Sequence, residues 1–197
     1  MSPPATSDQT ASSRDLRLGN LLAAVAMALS DRVRKATELV SGQTGAAPAA
    51  LVMLSQSLRG GSMDDLRRVV GLTPSGAVRL VDRLVAEGLV ERRAGADRRS
   101  LALVLTRAGR AVARRISMTR ADAVADVLGQ LAVDDRASLE LLAERLVAAL
   151  VVERLADRAS GEEPAAGWLC RLCDQKACGR PEGRCPAAAA AGRLVPS

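Results

Sequence analysis

The sequence predicts a mainly α-helical fold interrupted once by a two-stranded β-hairpin. Three observations predict it. Apolar residues recur at helical spacing over long segments on both sides of the chain's centre. Two short central helices are punctuated by Ser or Thr starts and Gly stops. One stretch alone, residues 89–105, switches to a strand rhythm. With 197 residues, 48% of them hydrophobic and 25% charged, the chain suits one globular domain extended by helices, not a disordered polymer.

The elements follow in order. Residues 1–15, rich in Pro, Ser and Thr at their start, are expected to form a disordered leader. From Leu16 to Val40, Leu18, Leu21, Leu22, Val25, Leu29, Val33 and Val40 fall on one broad stripe, a long first helix. Its Leu21–Leu29 run, behind Arg14 and Arg17, resembles a signal-peptide core. The apolar pattern nevertheless continues past Asp31, Arg32 and Arg34 at helical spacing, which identifies an amphipathic helix instead. Ser41–Gly45 breaks it, and Ala47–Leu58 forms a second helix ending at Gly60-Gly61.

Ser62 opens a short helix as its N-cap, with Asp65 three positions on completing a box. Leu66, Val69 and Val70 give it an apolar face, and Gly71 stops it. Thr73-Pro74 starts the next at once, a cap followed by the residue best tolerated in a first helical turn. This helix runs to about Glu87, with Val78, Val81, Leu84 and Val85 facing inward. Leu89–Arg92 and Leu101–Leu105 are the two strands, joined by the Arg-rich tip Arg93–Arg99. Leu101, Leu103 and Leu105 alternate with Ala102 and Val104. Thr106 caps a long helix to about Leu131. Asp134 caps another, whose core face carries Leu139, Leu142, Leu146, Leu150 and Leu155. The main domain thus spans residues 16–156, and residues 157–197 are a linker and a Cys-rich tail in which Trp168 and Leu169 are expected to anchor on the long helices.

Composition narrows the function. The chain has no His, which removes histidine bases and His-ligated metals. Aromatic residues are 1%, Trp168 alone, too few for the stacking platforms of RNA-recognition and single-strand-binding modules. Between Arg59 and Arg115 stand 13 arginines and 6 acidic residues, a local net of +7 out of +6 for the whole chain. All the excess positive charge therefore sits in one segment, as a phosphate-binding face requires. No run reaches the roughly 18 consecutive apolar residues of a membrane span. The expectation is a cytoplasmic protein with no membrane partner.

Two short helices joined by a tight turn, followed by an Arg-rich hairpin, make a winged helix-turn-helix. In that motif the second helix enters the major groove of double-stranded DNA with its N-terminal residues near base edges. Those residues are Thr73, Ser75, Gly76 and Arg79, with Arg83 one turn further on. A hydroxyl at Ser75 can bond a base edge or a phosphate, Arg79 offers a fork suited to guanine or phosphate, and Gly76 permits close backbone approach. Arg93, Arg98 and Arg99 of the wing suit the minor groove or its flanking phosphates, with Asp97 as an orienting partner.

The stretch Leu66–Gly109 resembles the multiple-antibiotic-resistance regulator (MarR) family. The resemblance rests on Pro74-Ser-Gly-Ala-Val-Arg-Leu-Val-Asp-Arg-Leu84 and Glu87-Gly-Leu-Val-Glu-Arg92, reinforced by Asp97-Arg98-Arg99 and Leu105-Thr-Arg-Ala-Gly109. The long flanking helices extend it over residues 16–156. It implies a homodimeric transcriptional regulator, commonly a repressor relieved by a small ligand or by oxidation, whose first and last two helices pack on the partner subunit. Three helices with apolar stripes cannot all be covered by a small wing domain, in agreement with a dimer. Two reading helices ~34 Å apart then call for a pseudo-palindromic operator. Gly76 stands where the family often has Thr. The first helix lacks the cysteine of the family's peroxide sensors, and any small-molecule effector would meet an aliphatic pocket.

Outside this resemblance, Cys170-x2-Cys173-x4-Cys178-x6-Cys185 gathers every cysteine into one tail. Four close thiolates can hold one ion; zinc is the first expectation, an iron–sulfur cluster the second, and a metal-free thiol switch a third. Two other functions compete with a regulator: a thiol-redox or metal-dependent enzyme, and a module whose zinc tail binds a protein. The absence of a catalytic constellation argues against an enzyme.

Overall fold

The computed structural model describes residues 12–95, 101–161 and 167–194. Among them, in chain order, are α1 (Ser13–Ser41), α2 (Ala47–Gln56), α3 (Met63–Val70), α4 (Pro74–Ala86), β1 (Val90–Ala94), β2 (Leu101–Leu105), α5 (Arg107–Leu128), α6 (Val133–Ala159) and α7 (Pro186–Leu194). The mainly helical fold with one antiparallel hairpin is as the sequence predicts.

Local chemistry sets most boundaries. Ser62 Oγ accepts from Asp65 N at 3.1 Å while Asp65 Oδ2 accepts from Ser62 N at 3.1 Å, so α3 starts in a full capping box. Gly71, at φ 71°, ends it in the left-handed conformation that side chains other than glycine resist. Thr73 then caps α4 by accepting from Gly76 N at 3.2 Å. Ser12 and Asp15 make the same box for α1, which therefore begins inside the stretch expected as leader. At α6 the expected cap Asp134 lies in the first turn, and Ala132 holds the cap position. Asp134 and Asp135 act there through their charge, which favours the positive end of the helix.

The core is formed by α2, α3, α4, the hairpin and the start of α5, with Leu51, Leu66, Val81, Leu84, Leu103 and Ile116 fully buried. On α4 the inward row is Ala77, Leu80, Val81 and Leu84, the i, i+3, i+4, i+7 pattern. Val78 lies one residue off that row and is 45% exposed, not inward as expected. β1 sits slightly later than the sequence suggests, and its register pairs Val90 with Leu105, Arg92 with Leu103 and Ala94 with Leu101. Leu101 lies beyond the core's edge and is exposed, while Ala102 is buried. Behind the hairpin, Thr106 Oγ1 caps α5 through Gly109 N and donates to Gly88 O at 2.7 Å. A Cβ on Gly109 would overlap the carbonyl oxygen of Leu89, so the strand and helix meet here only because residue 109 has none.

The long helices are different. α6 has no buried residue, and Leu139, Leu142, Leu146 and Leu150 of its expected core face are 42–54% exposed. Leu18, Leu21, Leu22 and Val25 on the first half of α1 are exposed as well, while its second half packs on α5. Among the described residues nothing covers these stripes. α7 lies along α6. Among the described residues no helix is long and apolar enough to cross a membrane.

Candidate nucleic-acid interface

The outward side of α4 is built by subtraction. Once Ala77, Leu80, Val81 and Leu84 are committed to the core, the 3.6-residue repeat leaves Ser75, Arg79 and Arg83 in one i, i+4 row on the exposed side. Thr73 Oγ1 lies 3.4 Å from Ser75 Oγ at the head of this row. Gly76 is half-buried beneath it; a Cβ there would stand 3.0 Å from Thr73 Oγ1. Arg79 and Arg83 have no carboxylate within reach among the described residues, so both guanidinium groups are available to an external anion. Val78, exposed beside Ser75 and Arg79, was missed by sequence reasoning. An exposed valine between polar groups on a reading helix is the signal that finds it.

Four other arginines of the basic segment are paired with carboxylates. Arg67 and Arg68 both pair with Asp64. The strand's two-residue period separates the neighbours Arg92 and Arg93. Arg92 shares the face of buried Val90 and reaches across to Asp82 on α4 at 2.5 Å. Arg93 shares the opposite, exposed face with Glu91, which holds it at 2.8 Å. So Arg93 is a partly neutralised cation, not a free one. Arg98, Arg99 and Asp97, expected at the wing tip, lie outside the described residues.

A second feature lies behind the reading unit. α1, α2, α5 and the tail enclose a cavity of about 530 Å³ whose lining includes Leu29, Val33, Arg34, Arg120, Arg171 and Leu172. Arg34 is held by Asp31 and Glu38. Burial, and then the charge of Arg154, push the Arg171 guanidinium below its usual range.

The tail, expected to anchor on the long helices through Trp168 and Leu169, places Leu169 in the cavity wall with α1 and also reaches α2 and α3. Trp168 N donates to Val69 O of α3 at 2.8 Å, and Gly167 passes so close to Val69 and Gly71 that a Cβ would overlap their backbone. Gln56 of α2 donates from Nε2 to Cys173 O at 3.0 Å and accepts from Gln175 N at 2.8 Å. Arg154 of α6 donates to Gly167 O. The four cysteines are unpaired thiols, arranged as two couples, with Cys178 Sγ 3.9 Å from Cys185 Sγ. A hydrogen bond from Cys170 is the main reason that the Cys173 thiol is pulled down to about 6, helped by Arg120 and opposed by burial and Asp174. The same bond, then burial and the charge of the other thiols, push Cys170 far up. Burial chiefly raises Cys178 to about 11, with Cys185 adding to it. Among the described residues, no three of these groups already surround a point that would hold an ion.

The MarR family profile matches residues 41–100, which contain α2, α3, α4 and β1. The MarR family protein Rv2887 of Mycobacterium tuberculosis, solved with p-aminosalicylic acid, is 34% identical to this chain; the match covers 66% of this chain and 97% of that one, with a TM-score of 0.53. The same protein solved with DNA gives 32% identity, 66% and 96% coverage and a TM-score of 0.55. RV1404 of Mycobacterium tuberculosis is 31% identical over 69% of this chain and 91% of its own, with a TM-score of 0.55. Comparison with curated protein sequences gives no significant match.

Proposed function

Because the chain belongs to the MarR family of DNA-binding transcription regulators, we propose that it is a cytoplasmic, homodimeric repressor acting on a pseudo-palindromic operator. It works by binding and not by catalysis. The observation that carries this reading is the exposed Ser75–Arg79–Arg83 row on α4, whose two arginines have no carboxylate partner among the described residues, beside an antiparallel wing. Thr73, Ser75, Gly76 and Arg79 approach base edges, Val78 touches a thymine methyl group, and Arg83 grips a phosphate. Arg92 positions the wing through Asp82, and Arg93, partly neutralised by Glu91, serves the minor groove or its phosphates together with Arg98 and Arg99 of the tip.

Dimerisation is supported by the exposed leucine stripes of α1 and α6, which a second copy covers. The effector is a small organic carboxylate. Rv2887 has been solved with salicylic and p-aminosalicylic acids, and the cavity of this chain joins an apolar floor to Arg120 and Arg171. A bound carboxylate would pair with the half-buried Arg120 and Arg171 and shift the dimer toward a geometry that no longer fits the operator.

The test is fluorescence anisotropy with DNA from upstream of the protein's own gene, across a salt series and with salicylate as the probe ligand. Specific, steeply salt-dependent binding that salicylate weakens is expected. Equal affinity for that DNA and a scrambled duplex would overturn the reading. Deleting the gene should raise transcription from the bound promoter; a fall would make the protein an activator.

A further inference from the structure

We propose that Cys170, Cys173, Cys178 and Cys185 bind one zinc ion as an all-thiolate site, and that the ion fastens residues 167–185 as a strap from α6 to the α2–α3 face.

The argument starts from the two couples. Cys173 N donates to Cys170 O at 3.0 Å, a tight turn that brings both side chains to one side. Cys178 and Cys185 come from the outgoing and returning arms of the next loop and stand 3.9 Å apart. That separation is nearly twice a disulfide bond, and it matches the edge of a tetrahedron of sulfurs about 2.3 Å from zinc, roughly 3.8 Å. The couples follow one another within a turn, since Asp174, next to Cys173, accepts from Cys178 N at 3.0 Å. Zinc would complete the approach by drawing the two edges together, releasing the remaining thiol protons to solvent.

The loop is shaped before any ion arrives. Asp174 Oδ1 accepts from Lys176 N at 2.9 Å and from Ala177 N at 3.1 Å, and Cys178 N donates to Asp174 O at 3.0 Å. Arg184 N donates to Gly179 O at 2.8 Å, closing the return, and Cys185 is buried just ahead of Pro186. Four thiolates around zinc leave a net charge of −2. Arg120 of α5, which shares a cavity wall with Cys173, offsets part of it. With no His in the chain, sulfur is the only soft ligand on offer, which selects zinc over harder divalent ions.

The strap's ends are also on the page. Gln56 holds the loop's backbone to α2, Trp168 N is bonded to the last turn of α3, and Arg154 of α6 holds Gly167 O. α3 leads through Gly71 into the cap of α4. A consequence for operator binding would rest on the proposed function; the metal site and the strap do not.

The test uses the full chain purified without chelator. One zinc per chain by elemental analysis is expected, and cobalt exchange should give strong visible bands of a tetrahedral tetrathiolate site. Absence of metal, or iron with a brown colour, overturns the zinc assignment. Cys173→Ser and Cys185→Ser should each weaken zinc more than about 100-fold, beyond what loss of an outer partner costs. If such a variant misfolds, zinc titration of the chelator-stripped wild type replaces it, and failure to retake one equivalent overturns the site. Trp168 is the only aromatic residue, so its fluorescence reports the strap without background. Removing zinc should shift its emission to longer wavelength and restoring zinc should reverse the shift. An unchanged spectrum overturns the fastening role. All these readouts are independent of DNA.

Discussion

Arg92 on β1 and Asp82 on α4 meet at 2.5 Å, a bond between wing and reading helix that fixes the angle at which the two present themselves. Both side chains are partly exposed, so the bond contributes at most about 1 kcal/mol to stability. Its effect lies in where Arg92 points. Asp82→Ala should leave the thermal midpoint nearly unchanged while freeing one cation on the DNA side. Binding to random duplex should tighten, and the slope of log K against log salt should steepen by about 1. An unchanged slope would mean that Arg92 stays folded against the protein without its partner.

Arg79 and Arg83 are separable by the same measurement. Arg79→Ala should cost about 1–3 kcal/mol on the operator and relax base preference at one position of each half-site. Arg83→Ala should weaken operator and random DNA alike and reduce the salt slope by about 1. The assignment fails if Arg79→Ala leaves discrimination between the two duplexes intact.

The capping box of α3 makes stability acid-sensitive. Hydrogen bonds from Ser62 hold the Asp65 carboxyl below its ordinary value. A carboxylate lowered on folding stabilises fully above its unfolded value, about 3.9, and that contribution disappears as pH falls through the folded value. Ser62→Ala should cost about 1 kcal/mol at pH 7 in urea denaturation. The difference between wild type and Asp65→Asn should shrink steadily between about pH 4 and pH 2.

Gly109→Ala tests the contact between α5 and Leu89, which leads into β1. The added Cβ would overlap the Leu89 carbonyl oxygen, and backbone must move to admit it. Overpacking of this kind costs about 1–3 kcal/mol. A variant as stable as wild type would show that the junction yields.

Leu142→Glu places a charge in the middle of the exposed stripe of α6. Light scattering should show a dimer for wild type and a monomer for the variant, with operator affinity falling and helix content retained. A dimeric variant would move the subunit interface elsewhere.

Elements set by local chemistry were legible in the sequence. The box at Ser62, the caps at Thr73 and Thr106 and the stop at Gly71 each depend on a few adjacent residues, and the elements follow them closely. The register of a row was harder to read. Val78 was placed inward because valine is apolar, although Ala77 and Leu80 complete the buried row and leave it outside. Arg92 ends the strand and Arg93 opens the tip in the sequence reading, whereas β1 runs through both and its alternation sends them to opposite faces. The tail's berth was not legible at all, because Gln56 and Val69 lie about a hundred residues away and bear no mark of their partner.

Gln56 offers the tail one donor and one acceptor, and both engage main-chain atoms, Cys173 O and Gln175 N. An amide side chain thus does for the strap what a residue of a neighbouring strand would do, recognising peptide groups without regard to what they carry. Glutamate could not, since it has no donor, and asparagine is one methylene short. Position 56 is therefore held by its amide chemistry as firmly as Asp174 is by its role inside the loop, and exchange of Gln56 alone should loosen a tail whose own residues are all intact.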